Sequence, residues 1–205
     1  MTISTRDQLI DAMGNNASRL VIDKASLANA VAGQFFSLWT ATGIPGAGSA
    51  PGAAANPTSA TTGAFSFANQ TSPATSYLAW LAVQCSLSAS NLEIHDRLAH
   101  MSGLSGTVTT SQGALSLVTN SPGADRLGDA NYSDVRWWLE IYTALGATGV
   151  NATVAVEYND GTTGNLAAIA LGATPRAGRL YPLISAVAGK FIRAVTGVTL
   201  SATTG

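Results

Sequence analysis

The residues of this chain that could do acid–base, nucleophilic or metal chemistry are few, and they crowd together only once. His95, Asp96 and His100 stand within six residues of one another, with Ser102 just behind them. A histidine held by a carboxylate and turned towards a serine is the arrangement of a nucleophilic hydrolase. The spacing argues against that use. Neighbouring residues on a strand point to opposite faces, so His95 and Asp96 do not pair, and the step from His95 to His100 matches the same-face spacing of neither strand nor helix. No third His, Cys, Asp or Glu stands at an offset that would complete a metal set. Asp96 and Arg97 are expected to make backbone or ion-pair contacts at a strand end.

Other chemistry is thinner still. Glu140 and Glu157 fall on neighbouring predicted strands, where paired carboxylates could serve glycoside hydrolysis. Each alternates with bulky apolar residues, which predicts the solvent side of an antiparallel sheet. Trp137, Trp138, Tyr142 and Tyr158 have three uses open to them: core, interface anchor or, for Trp137, Trp138 and Tyr142, a flat platform for sugar. The glycine-rich stretch 43–63 lacks the Lys-Ser/Thr of a phosphate loop and does not fit G-x-G-x-x-G between strand and helix. Arg176, Arg179, Lys190 and Arg193 are scattered cations, expected on a solvated surface or opposite acidic groups of a partner. Cys85 is the only cysteine, so no intrachain disulfide can form. It is expected to be a small buried hydrophobe. The chain is therefore expected to have no catalytic residue, cofactor or metal.

The elements that would position these residues come from the wider pattern. Only 10 % of the 205 residues are Asp, Glu, Lys or Arg, against about 25 % in ordinary soluble domains. The net charge is −1, with no basic stripe, so the electrostatic pull that dominates nucleic-acid binding is absent. No apolar run reaches the length of a membrane span, and the first residues lack the apolar core of a signal peptide. The four Asn-x-Ser/Thr triplets, at Asn16, Asn69, Asn131 and Asn151, are expected to be coincidence in a Ser/Thr-rich chain made in a cytosol. A surface this poor in ions suits a protein that lies against neighbours.

Thr5–Met13 predicts a short helix, capped by Thr5 and stopped by Gly14 and Asn15. Leu27, Val31, Phe35, Leu38 and Trp39 recur at helical spacing and predict a second helix over Asp23–Thr40. Residues 43–63 contain three prolines, five glycines and no charge, a linker or an extended arm that could lie along another subunit. From Ala64 the period changes to two. Strands are predicted over Tyr77–Cys85, over Leu92–Leu98 (with a helix from Leu92 to Met101 as rival), within Thr107–Val118, and over Val135–Thr143. Ala152–Tyr158 and Leu166–Leu171 flank Asn159-Asp160-Gly161, a strong hairpin signal. Lys190–Thr199 adds one or two strands, with Gly197 as a bulge candidate. Seven or eight short strands predict a mainly β fold: an antiparallel β-sandwich or jelly-roll-like domain at 64–205, with a short N-terminal helical arm and linker at 1–63.

Three segments carry a resemblance: EIHDRLAHMSGLSGTVTT from Glu93, DVRWWLEIYTALGATGVNATVAVEYNDGTTGN from Asp134, and AGKFIRAVTGVTLSATTG from Ala188. They resemble tailed-bacteriophage virion structural proteins, in which a similar Asp-Arg-Leu…Gly-Leu-Ser-Gly segment precedes a Thr-rich β domain. The likeness covers about the last two thirds of the chain. It implies a non-enzymatic component of an assembled particle, with a capsid decoration role favoured over one in neck, tail or baseplate. A carbohydrate-binding module for host attachment is the remaining alternative. The partners implied are other virion proteins, the major capsid protein first, and further copies of the chain, with no nucleic acid and no membrane. Phe35, Phe36, Trp39, Phe65 and Phe67 are the candidate interface anchors.

Overall fold

The computed structural model describes residues 3–15, 19–25, 27, 31–66, 81–86 and 90–205. The chain is mainly β, and every strand pairing among these residues is antiparallel.

The strongest period-two segment makes the centre. β6 (Val150–Tyr158) buries Val150, Ala152, Val154, Val156 and Tyr158, while the intervening residues face outward. Such strict alternation fixes register, because a one-residue slip would expose every valine. β6 is flanked by β10 (Ile192–Leu200) on one side and by β7 (Thr163–Asn165) and β8 (Ile169–Gly172) on the other. β4 (Leu115–Ser116) borders β10. The turn into β7 is the one predicted at Asn159-Asp160-Gly161: Gly161 takes φ +84°, and the Tyr158 N–H donates to the Thr162 carbonyl at 2.8 Å. Only glycine enters that region of φ without strain. The bulge predicted at Gly197 is present, one of two places where two residues of β10 oppose one of β6. A Cβ at Gly197 would run into the Ser111 side chain.

A second sheet orders β2 (Phe35–Phe36), β9 (Arg179–Leu183) and β5 (Trp137–Glu140). Trp137, Tyr181 and Leu183 from this sheet share one buried cluster with Val154, Val156 and Ile192 of the first. Two polar tips inside it are satisfied: the Trp137 indole N–H donates to the Ile192 carbonyl at 2.8 Å, and the Tyr181 hydroxyl to the Leu171 carbonyl.

The N-terminal part is built differently. α1 (Arg6–Gly14) starts where the sequence predicts, with Thr5 and Gln8 forming a reciprocal capping box, and none of its residues is buried. The second predicted helix, Asp23–Thr40, does not form. β1 (Asp23–Lys24) pairs with β3 (Gly43–Ile44), Gly33 sits at φ +75°, and Phe35–Phe36 joins β9. Val, Phe and Trp favour a pleated surface over a helix when one is offered, and the edge of β9 offers it. Residues 26 and 28–30 lie outside the described residues.

Other strand expectations also fail. Residues 77–80 lie outside the described residues, and 81–85 belong to no strand. Leu92–Leu98 is neither strand nor helix; it has no ladder partner among the described residues and is held by side chains instead. Within Thr107–Val118 only β4 and an isolated bridge from Gln112 to Val198 pair. Cys85 is exposed, not buried, because the strand that would have covered it does not form there. The other helix among the described residues, α2, is one turn at Ala124–Leu127.

The compositional break at 63/64 is not a break in packing. Residues 43–63, expected as a linker or an arm reaching another subunit, run against their own chain. Ala55 and His100 exchange backbone hydrogen bonds of 3.0 and 2.9 Å, Ser102 N–H donates to the Pro51 carbonyl at 2.8 Å, and Asn56 donates to the Asn120 carbonyl at 2.9 Å.

Candidate functional site

The His95–Asp96–His100–Ser102 group is dispersed by its own contacts. His95 is exposed and bonds Glu93 at 2.9 Å. Asp96 holds Arg126 through a two-point pair at 2.7 and 2.8 Å. His100, 7 % exposed, meets Trp39 edge-on at 5.5 Å. Burial, and then the nearby Arg97 charge, lower its pKa to about 4, so it is neutral at pH 7. Ser102 donates to the Pro51 carbonyl at 3.1 Å. Each of these four side chains is thus engaged with a different neighbour, and they do not pair with one another. Among the described residues no group of three or more His, Cys, Asp and Glu side chains is placed to hold a metal ion, and no helix is long and apolar enough to cross a membrane.

Glu140 and Glu157 were expected side by side on exposed faces. They sit on different sheets, in β5 and β6. Glu157 pairs with Arg193 of the adjacent strand. The Glu140 side chain is only 9 % exposed and bonds Arg97 at 3.1 Å. Arg97 also donates to Ser37 Oγ at 3.2 Å and lies over the Trp39 ring, 4.7 Å from its centroid. This one guanidinium ties residues 37–39 to β5. Beside it, burial first and the Glu140 charge second push the Tyr142 hydroxyl up to about 12. These groups hold the fold together.

The aromatic candidates separate in the same way. Trp137 is 9 % exposed and belongs to the core, so it is no part of an exposed platform with Trp138 and Tyr142. The alternation of β5 that brings Trp138 outward sends Trp137 inward. Phe36 lies under Arg179, 5.7 Å from ring centroid to guanidinium carbon. Trp39 donates its indole N–H to the Ser49 carbonyl at 3.0 Å. Both are half-buried and in contact with residues of their own chain. Phe65 is half-buried, and Phe67 lies outside the described residues. Phe35 is the most exposed of the described candidates: it is 47 % exposed and tilts against Trp138 with centroids 5.2 Å apart.

Phe35 and Trp138 open onto a groove of about 570 Å³ along the β2–β9–β5 sheet. Pro182, Ile184, Val187 and Phe191 continue its wall, and Arg136 and Lys190 are its only charged lining residues. Ile184 is 70 % exposed. The residues lining the groove include no carboxylate, imidazole or thiol, and most are apolar. The sequence reading missed β9 and the loop after it. The signal was the alternation Leu180, Tyr181, Leu183, and Pro182 obscured it, since proline usually marks an edge or a non-strand. Here it fits, because β2 accompanies β9 only at Arg179 and Leu180.

Comparison with known proteins leaves this geometry to stand alone: no family model, no curated protein and no solved structure matches the chain.

Proposed function

We propose that this chain is a non-enzymatic structural protein of a tailed-bacteriophage particle, a decoration or cement protein bound to the major capsid protein of the head lattice, and that its two larger sheets are the layers of a β-sandwich. The observation that carries the proposal is where the apolar surface lies. Ten of the nineteen exposed large hydrophobic side chains among the described residues fall in the first 44 residues, among them Leu9, Ile10, Leu20, Val21 and Phe35. Four more, Leu81, Val83, Leu92 and Ile94, lie on strandless chain. A solitary monomer rarely leaves that much apolar surface in water, whereas a subunit with neighbours covers it. At about 25 cal/mol per Å² the covered area is a strong driving force, and repetition over a symmetric lattice adds avidity. The poverty of charge and the phage-like segments point the same way.

The test is copy number. Particles purified from the host that carries this gene, digested and quantified against the major capsid protein, should hold the chain in hundreds of copies. A dozen or fewer would move it to neck, tail or baseplate. Absence from the particle would overturn the proposal. The carbohydrate-binding alternative would need Trp138 to stack on sugar without Trp137; no loss of glycan binding in Trp138→Ala would remove it.

A further inference from the structure

We propose that the cavity beside Arg179 binds a small oxyanion, a carboxylate or a phosphate group, between the Arg176 and Arg179 guanidiniums. The inference goes beyond the assembly reading above and does not depend on it.

The cavity lies where the start of β9, the loop after β8 and residues 31–36 meet, and its volume is about 240 Å³. That is below the roughly 300 Å³ at which drug-sized sites begin, so its ligand is small. The backbone N–H of Arg179 donates to the Arg176 carbonyl at 3.2 Å, and both side chains stand in the cavity wall. The wall contains no Asp or Glu. All 11 acidic residues of the chain are among the described residues, and none forms an ion pair with either arginine. Glu140, on the strand beside β9, opposes Leu180 and is held by Arg97 instead.

Arg179 is held in place with its charge unmatched. Its guanidinium carbon lies over the Phe36 and Tyr181 rings, 5.7 and 5.0 Å from their centroids. Such rings steady a guanidinium, but they bring no counter-charge. Its Nε and Nη1 atoms are buried and have no hydrogen-bond partner. A guanidinium with two nitrogens shut off from water and no counter-ion costs free energy. Arg176 adds a second positive charge to the same wall, and like charges repel more strongly beside a partly enclosed space than in open water. An oxyanion lowers both costs. Its charge offsets the pair, and its oxygens accept charge-assisted bonds from a planar fork. Thr174 lines the same cavity at φ +50°, a conformation that β-branched residues rarely adopt. Strain of that kind collects at ligand sites.

The test titrates the full chain with inorganic phosphate and, separately, with acetate, at constant ionic strength made up with chloride. Binding is followed by calorimetry and by the arginine side-chain N–H resonances. At least one anion should bind saturably in the low millimolar range or tighter, and the Arg179 signals should move. Tighter binding of phosphate would assign the site to a phosphate-bearing ligand, and tighter binding of acetate to a carboxylate. Arg176→Gln, at an exposed position, should leave the unfolding midpoint in chloride where it is and weaken binding about tenfold. Arg179→Lys keeps the charge, loses the fork and should weaken binding at least as much; if it also unsettles the fold, Arg176→Gln decides alone. Arg136→Ala, outside the cavity, should bind as the parent does. Saturable binding of neither anion, or an equal loss in Arg136→Ala and Arg176→Gln, overturns the site. Absence of the chain from particles would sink the assembly reading and leave this site standing.

Discussion

The segment 150–200 and the segment 3–66 of this protein are stabilised by different means. In the first, backbone ladders do the organising: β6 is paired on both edges, and its inward residues Val154 and Val156 are fully buried. Among the described residues of the second, the longest strands have two residues, and single side chains do the fastening. Arg97 reaches Ser37 and Trp39, Arg126 donates to the Pro57 carbonyl at 3.0 Å, and Lys24 donates to the Ala41 and Gly46 carbonyls at 3.0 and 3.1 Å. A ladder distributes its loss over many bonds. A fastening concentrates it in one residue. The difference separates a core held by continuous ladders from an N-terminal part held by single side chains.

The largest single effect should come at the fastening. Arg97→Ala leaves Glu140 buried without its cation and frees residues 37–39, with an expected loss of about 3 kcal/mol measured by urea unfolding; a loss within experimental error would show that the pair holds nothing. Next, Val154→Ala should cost about 2 kcal/mol through lost burial and a residual cavity, with the ladder intact by amide exchange. If Val154→Ala released the N-terminal amides before those of β6, the two regions would not be independent.

A comparable effect should follow from His100, whose folded pKa of about 4 lies below its ordinary value of 6.5. The unfolded chain then binds more protons between these values, so its stabilisation is complete above pH 6.5 and is lost as the pH falls towards 4. By pH 5 the loss should be about 2 kcal/mol. It should appear first as faster amide exchange at Ala55, the residue bridged to His100, and His100→Gln should flatten the slope. The smallest effect belongs to Leu20→Ser. Leu20 is exposed, so the midpoint of the isolated chain should shift by less than about 0.5 kcal/mol. A larger shift would show that this part of the arm already has a partner within the chain.

Legibility divides along the same line. Asp160-Gly161 announces its hairpin because the turn chemistry is local, and Thr5 announces its helix for the same reason. Gly197 could be read as a bulge inside a strand pattern because glycine there has few other uses. The stripe Leu27–Trp39 misled because helical spacing says which residues are apolar together, not which partner they find; Phe36 found Arg179 and Trp39 found Arg97. Glu140 was placed outside because its neighbours alternate, and nothing near it in sequence shows that Arg97, 43 residues away, arrives to bury it. The groove was illegible for the same reason, since its walls come from residues 35, 135–138 and 182–192.

The amino-acid sequence by itself determined the scarcity of charge, the mainly antiparallel β character and the local stops and turns. All of these follow from residue type and short-range geometry. Only the tertiary structure decided that Trp137 is core while Phe35 and Trp138 line a groove, and that the Gly/Ala/Pro strap lies on its own chain. Those outcomes depend on which distant residues meet, and periodicity along a chain carries no information about the identity of the surface opposite.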